Sequence, residues 1–365
     1  MTDTTSPTSG LPRPVLLLVG FAAAVVAVGG VYAMSGIIGP AFLALMLTVA
    51  AQPLRERLTL WGLPGWAGGL VTAVVIYAVL LSLTVAMVVA GARFATILPS
   101  YQSDLGRVVR DAVAWAEDWG VSQQQVQELV EALDLGRMVG WVGDVIGGLV
   151  GVASSLIFVV TLVLFMAVDG GRFPATLRAL PQERHHLAAA LRSFAVGTRT
   201  YLLVSTVFGL IVAVIDTVAL IWIGVPGAVL WGLLAFITNY IPNIGFVIGV
   251  IPPAVIGLLE GGPRMMVLVL VTYSVINVVI QSVIQPKVVG DSVGLSSTVT
   301  MLSLVFWAVT LGPLGALLAV PLTLLAKALL VDADPRTRWV APLLSGAPPG
   351  PDRSAESTRK IPRGV

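Results

Sequence analysis

Cysteine is absent from this 365-residue chain, which excludes a disulfide framework, a thiolate nucleophile and a cysteine-based metal site. Charge is nearly as scarce. Asp, Glu, Lys and Arg make up 11% of the residues against 57% hydrophobic ones, and the mean hydropathy is +0.95. Soluble domains carry roughly 25% charged residues, so the composition excludes that class and indicates an all-α, polytopic helical membrane protein. Histidine occurs only twice, at His185 and His186. These two are adjacent rather than one helical turn apart and have no acidic partner at metal-ligand spacing, so no metal or other cofactor is expected. The chain has no GxxxxGK[S/T] phosphate loop, which argues against ATP-driven transport by this chain alone. No constellation of residues supports catalysis, and an enzyme is not expected. A formal net charge of +2 and a pI near 9.1 fit cytoplasmic Lys and Arg in a membrane protein rather than nucleic-acid binding.

What the chain does have is long apolar runs. Candidate spans lie at 15–33 and 36–51, read as a tight helical hairpin, and at 66–91, 145–168, 201–223 and 265–284. Two further stretches of about 35 residues are interrupted near their centres, long enough to cross with a tilt or to enter and return. Together these make about eight membrane segments, two of them broken or re-entrant. The implied organisation is a disordered N-terminus over 1–14, membrane helices over 15–91, an extracytoplasmic insert over 92–144 and a helix with a basic cytoplasmic segment over 145–200. A C-terminal membrane domain over 201–331 and a disordered cytoplasmic tail over 332–365 complete it. Within the insert, Leu98, Tyr101, Leu105, Val108, Ala112, Trp115 and Trp119 recur at steps of three and four, the mark of an amphipathic helix. Ser122 and Gln125 make a capping-box pattern ahead of a second helix. That apolar stripe has three readings: a subunit contact in a homo-oligomer, a helix lying on the membrane surface, or packing within the protomer.

The interrupted stretches, 225–259 and 298–331, carry the most information. The first is broken at IPNIG, with Pro242 and Gly245, and the second at LGPLG, with Gly312, Pro313 and Gly315. Hydrocarbon offers no partner to freed backbone N–H and C=O groups, so breaks at this depth survive only around protein or a wet cavity. Each stretch is either a hairpin or a kinked crossing. Hairpins would make 201–259 and 265–331 inverted repeats, a common plan among secondary transporters. Proline removes a donor and glycine permits a reversal, which favours hairpins. Charge fixes the orientation. Residues 93–144 hold four basic residues against eight acids and should face outward, leaving the arginine-rich tail, and with it both termini, in the cytoplasm.

Four segments in this order resemble the autoinducer-2 exporter family of bacterial permeases. They are the Asp169-Gly170 exit, FITNYIPNIG over 236–245, QPKVVGDSVGLSS over 285–297 and LGPLGALLAVPL over 311–322, and the similarity spans 36–330. The resemblance implies a bacterial inner-membrane protein of about eight helical segments with an extramembrane helical insert, carrying small polar molecules or ions. Members are linked to signal-molecule export, to sodium or lithium tolerance with proton exchange, and to sporulation, so membership leaves the substrate open. This chain departs from the family pattern at Ser297 and Thr298, where many members have His-Pro, and at Asn243, where an aromatic is common.

Polar groups inside apolar spans are costly, which makes them candidates for function. Asp216 is a carboxylate well inside a span and could bind a cation or carry a proton; the competing reading is a hydrogen bond to a neighbouring helix. Asn277, Gln281 and Gln285 recur every four residues and share a helix face, lining a pathway or gluing helices together. Thr238, Asn239 and Asn243 flank the first break, placed to cap freed helix ends or to coordinate a solute. Lys327 is read as snorkelling and structural. The function expected from these residues is secondary transport of a small polar solute or ion across the lipid bilayer, by alternating access at a site where the breaks meet. The alternative is a non-transporting scaffold or sporulation-type membrane protein that acts through partner binding.

Overall fold

The computed structural model describes residues 12–97, 157–170, 184–242, 244–285 and 294–345, with 176, 179 and 181. The insert from 98 onward, the first part of the 145–168 span, Asn243 and the Lys287–Asp291 linker pair lie outside the described residues. Every regular element among the described residues is a helix.

Helix α1 (Arg13–Ala33) leads into α2 (Ser35–Leu60). The tight hairpin expected here does not form. Only Met34 separates the two, its backbone stays near helical at φ −102° and ψ 16°, and the Ile38 N–H still reaches the Met34 carbonyl at 2.9 Å. An antiparallel helix pair needs a loop of about two to five residues, so the chain kinks at Met34 and does not reverse. Helix α3 (Gly65–Ile97) and α4 (Ile157–Asp169) pack with α2 around Ala44, Ala73, Ile76, Val159 and Val163.

Helix α5 (His185–Ile223) is continuous through position 201, where the sequence suggested that a cytoplasmic segment gives way to a span. Its 39 residues reach well beyond a hydrocarbon core of about 30 Å, so one end stands outside the membrane. Gly224, at φ 90°, closes its C-terminus.

Helix α6 (Ala228–Thr238) follows, then α7 (Ile244–Asn277). These two double back on each other. A Cβ placed on Gly245 would strike the Thr238 carbonyl, and one on Gly249 would lie 3.2 Å from Thr238 Oγ1. With 11 residues, α6 is only about half as long as a crossing requires, so the first interrupted stretch is a hairpin. The chain reverses again inside α7 at Gly262-Pro263. Gly262 sits at φ 71° and ψ −167°, a conformation that side chains with a Cβ resist, and Pro263 cannot donate into the preceding turn. Across this bend Gly257 lies against Met265 and Val269. The returning arm continues as a π-helix, Val278–Ile284.

Helix α8 (Ser297–Leu317) starts from Ser296, whose Oγ accepts the Val299 N–H at 3.3 Å. It breaks at Gly312, at φ 68° and ψ −151°, immediately before Pro313. The return passes into α9 (Ala319–Lys327) and a π-helical turn, Ala328–Asp332. Trp307 Nε1 donates to Thr323 Oγ1 at 3.0 Å, and a Cβ on Gly315 would strike the Trp307 carbonyl. The second interrupted stretch is therefore a hairpin as well. Lys327 is held by Asp332 at 3.0 Å, in line with a structural role. A short helix α10 (Ala341–Ser345) supplies the Leu344 carbonyl that accepts the Ser296 N–H at 2.8 Å.

Chain direction now sets the topology. Helix α6 lies antiparallel on α5, with Gly209 against Asn239 and Gly232 against Thr217. The first hairpin thus starts and ends at the Gly224 end of α5, the second arm of α7 returns to the opposite end, and the second hairpin starts and ends there. The two hairpins open in opposite directions. Five described helices are long and apolar enough to cross a membrane, among them Ile244–Gln281 and Ser297–Leu317, but these two contain the reversals at Gly262 and Gly312 and are not single rods. Large side chains such as Trp222, 87% exposed, and Phe21, 71% exposed, are at home where the outer surface meets lipid rather than water.

Candidate functional site

The turn of the first hairpin, described over 239–242, comes to rest against the middle of α5. Its freed backbone groups find partners nearby, as burial requires. The Ile241 N–H bonds the Thr238 carbonyl at 2.8 Å and the Gly245 N–H bonds the Ile241 carbonyl at 2.9 Å. The Tyr240 carbonyl accepts from Tyr201 Oη at 2.7 Å, while the Tyr240 and Thr206 hydroxyls meet at 2.6 Å. Tyr201 also belongs to the packed cluster that contains Leu311 and Leu318 of the second hairpin.

Behind this turn lies a small cavity, with about 10 Å³ of room for the centres of water-sized molecules and about 220 Å³ of empty space once its open mouth is counted. Three elements build it. Helix α5 contributes Val212 and Asp216; the first hairpin contributes Ala235, Thr238, Asn239, Gly245, Phe246 and Gly249; the second arm of α7 and its π-helical extension contribute Tyr273, Asn277 and Gln281.

The amide side chains form a chain across these elements. Gln281 Nε2 donates to Asn239 Oδ1 at 3.0 Å and to Asn277 Oδ1 at 2.7 Å. Asn277 Nδ2 donates to the Tyr273 carbonyl at 3.0 Å, and Asn239 Nδ2 to the Ser205 carbonyl at 3.1 Å. Asn239 reaches Ser205 only because position 209 is glycine, since a Cβ there would stand 2.8 Å from Asn239 Nδ2. Gln281 sits within the π-helical segment, a widened turn often found at functional positions. Thr238 Oγ1 donates to the Ala235 carbonyl at 3.3 Å.

Two lining groups stand apart from this network. Asp216 is 0% exposed and, among the described residues, neither carboxylate oxygen has a hydrogen-bond partner; Tyr273 is 1% exposed and its hydroxyl has none there either. Among the described residues, no Lys, Arg or His lines the cavity.

Of the residues picked out from sequence, Asp216, Thr238, Asn239, Gly245, Asn277 and Gln281 converge on this one cavity. Gln285 lies a turn further on, partly exposed, and does not line it. Pro242 is in the hairpin turn but outside the lining, and Asn243 lies outside the described residues. Gly312, Pro313 and Gly315 form the turn of the second hairpin and contribute no lining atom. Among the described residues this cavity is lined by the first break and not by the second, and Tyr201 is its link to the packing of the second. Sequence reading missed Tyr201, Tyr240 and Tyr273, whose rings blend with the apolar background. Their hydroxyls, inside spans that need every polar group satisfied, were the available signal.

Comparison with known proteins bears on this arrangement. A family model described as AI-2E family transporter matches residues 21–333. The chain is 30% identical over 312 residues to the putative transport protein YhhT of Escherichia coli K12, covering 85% of this chain and 89% of that one. It is 29% identical over 298 residues to the AI-2 transport protein TqsA of the same organism, covering 82% and 86%. A putative transport protein of Haemophilus influenzae is 30% identical over 341 residues, covering 90% and 95%.

Proposed function

Because this chain belongs to the AI-2E transporter family, a family of multi-pass membrane proteins, we propose that it is a secondary transporter for a small polar solute or ion in the bacterial inner membrane. The solute occupies the cavity between α5, the first hairpin and the second arm of α7. Asp216, Thr238, Asn239, Asn277 and Gln281 are its binding residues. Both termini are cytoplasmic, as the acid-rich 93–144 segment and the arginine-rich tail suggest.

One observation carries the reading. A polar, partly unsatisfied cavity lies at an unwound turn of a membrane hairpin, and buried polar atoms without partners are expensive unless something fills the space. Alternating access follows from hairpins that open in opposite directions. Rocking the first hairpin about its ends at Gly224 and Gly262 bares the cavity to one side, and displacing its turn from Tyr201 and Gln281 bares it to the other. The name of TqsA attaches AI-2 to that relative; for this chain the solute class is drawn from the cavity.

Flux measurements on the purified full chain in proteoliposomes test the proposal. Small polar solutes should move down an imposed gradient, and Asn239→Ala or Gln281→Ala should lower the rate about tenfold, the order expected for breaking a buried hydrogen bond of the network that shapes the site. Normal flux in both variants would remove the cavity from the pathway. An absence of flux for every solute tried would favour a scaffold that acts through partners.

A further inference from the structure

The cavity's polar groups fall into two sets. The amides of Asn239, Asn277 and Gln281 are engaged with one another and with backbone carbonyls, and Thr238 is engaged with Ala235. What remains unpartnered is the Asp216 carboxylate, through both oxygens, and the Tyr273 hydroxyl. Both line the same cavity, Asp216 from α5 and Tyr273 from the second arm of α7, and among the described residues no cationic side chain lines it to balance the carboxylate. A buried carboxylate without a partner is among the costliest arrangements in a protein. Whatever fills the cavity is therefore asked to bring positive charge and hydrogen-bond donors together.

Three acceptor atoms, two of them on the carboxylate, are left for a guest, and the apolar part of the lining includes Val212, Ala235, Phe246, Gly245 and Gly249. A primary ammonium group matches this set. It carries three N–H donors for the two Asp216 oxygens and the Tyr273 oxygen, and a short alkyl body can lie on the apolar wall. A quaternary ammonium ion brings charge but no donor. Magnesium and calcium ask for about six or more oxygen ligands, and no cluster of three or more His, Cys, Asp or Glu exists among the described residues. A neutral polyol brings donors but leaves the charge unbalanced.

We propose that the cavity is a primary-ammonium site, with Asp216 as the counter-charge and Tyr273 as the third acceptor, so that small protonated amines are the solute class of this transporter. This inference rests on the transport role proposed above for the same cavity.

Methylammonium is the probe, and the full chain in proteoliposomes is the sample. Equilibrium binding of labelled methylammonium should be saturable and should weaken at least about tenfold in Asp216→Asn, which keeps the shape and removes the charge. Tyr273→Phe should weaken it less, about threefold, through loss of one acceptor. Methylammonium should outcompete tetramethylammonium, sodium, lithium and erythritol. Thermal melting of both variants keeps folding separate from binding, and Asp216→Asn, which relieves an unpaired buried charge, should melt no lower than the parent.

Equal competition by tetramethylammonium or by either metal ion would overturn the donor-matching argument, and unchanged binding in Asp216→Asn would overturn the assignment outright. If methylammonium binds as described but no solute crosses the bilayer, the ammonium site stands and the transporter reading falls. If other solutes cross and methylammonium neither binds nor crosses, the ammonium site falls and the transporter reading stands.

Discussion

Gly209 shows how much of the candidate site depends on one missing atom. Its lack of a Cβ leaves the path open for Asn239 Nδ2 to reach the Ser205 carbonyl, and Asn239 in turn receives Gln281. Gly209→Ala should push Asn239 aside and cost about 1–3 kcal/mol by overpacking, read as a lower melting temperature together with slower transport. Asp216, Asn239, Asn277 and Gln281 were legible in the sequence because polar groups stand out against an apolar run and are costly in lipid. Tyr273 was not: its ring scores as apolar, and only the structure reveals that it lines the cavity with a buried hydroxyl that has no partner among the described residues. Gln285 shares the four-residue spacing of Asn277 and Gln281 but falls at the helix end, past the cavity. Spacing assigns a face, not a depth.

Among the elements, the two hairpins depend on their turns. Gly312 holds φ 68°, and Gly312→Ala should cost about 1–2 kcal/mol, the penalty for forcing a Cβ into a left-handed backbone. The loss should appear as reduced thermal stability. Thr323→Val should cost about 0.5–1.5 kcal/mol by stranding Trp307 Nε1; a melting temperature equal to the parent's in both variants would show that these turns are not under the constraints described. Proline and glycine clusters announced these breaks, because few residues can end a helix in mid-membrane. The junction of α1 and α2 misled, since small residues around Met34 look like a loop while the backbone there stays near helical. The continuity of α5 through position 201 was also hidden. Its first half, with Arg192 exposed and Arg199 half-buried against Gln52, looks like a loop by hydropathy, yet arginine is a good helix former.

At the scale of the whole molecule, the hairpins open toward opposite sides of the membrane, and the absence of cysteine makes this directly testable. Arg264→Cys and Ser297→Cys each place a single thiol at an exposed position, beside the first hairpin's exit and at the second hairpin's entry. A membrane-impermeant maleimide should label Arg264→Cys from outside the cell and Ser297→Cys only after the membrane is opened. Labelling of both from one side would contradict the opposed hairpins. The sequence carried this arrangement only as one of two options, because Arg264 and Lys287, one cation at each end of the 265–284 span, give the charge rule nothing to weigh.

The latch between Gln281 and Asn239 joins residues separated by 42 positions. During synthesis the first hairpin therefore emerges well before the residue that fastens its turn. Until the second arm of α7 has threaded past it, that turn must wait with an amide unmet, so the hairpin can seat only after its downstream neighbour has been delivered to the bilayer. A chain halted shortly after Gly262 would be expected to expose this segment to membrane proteases, and one extended past Gln281 to protect it.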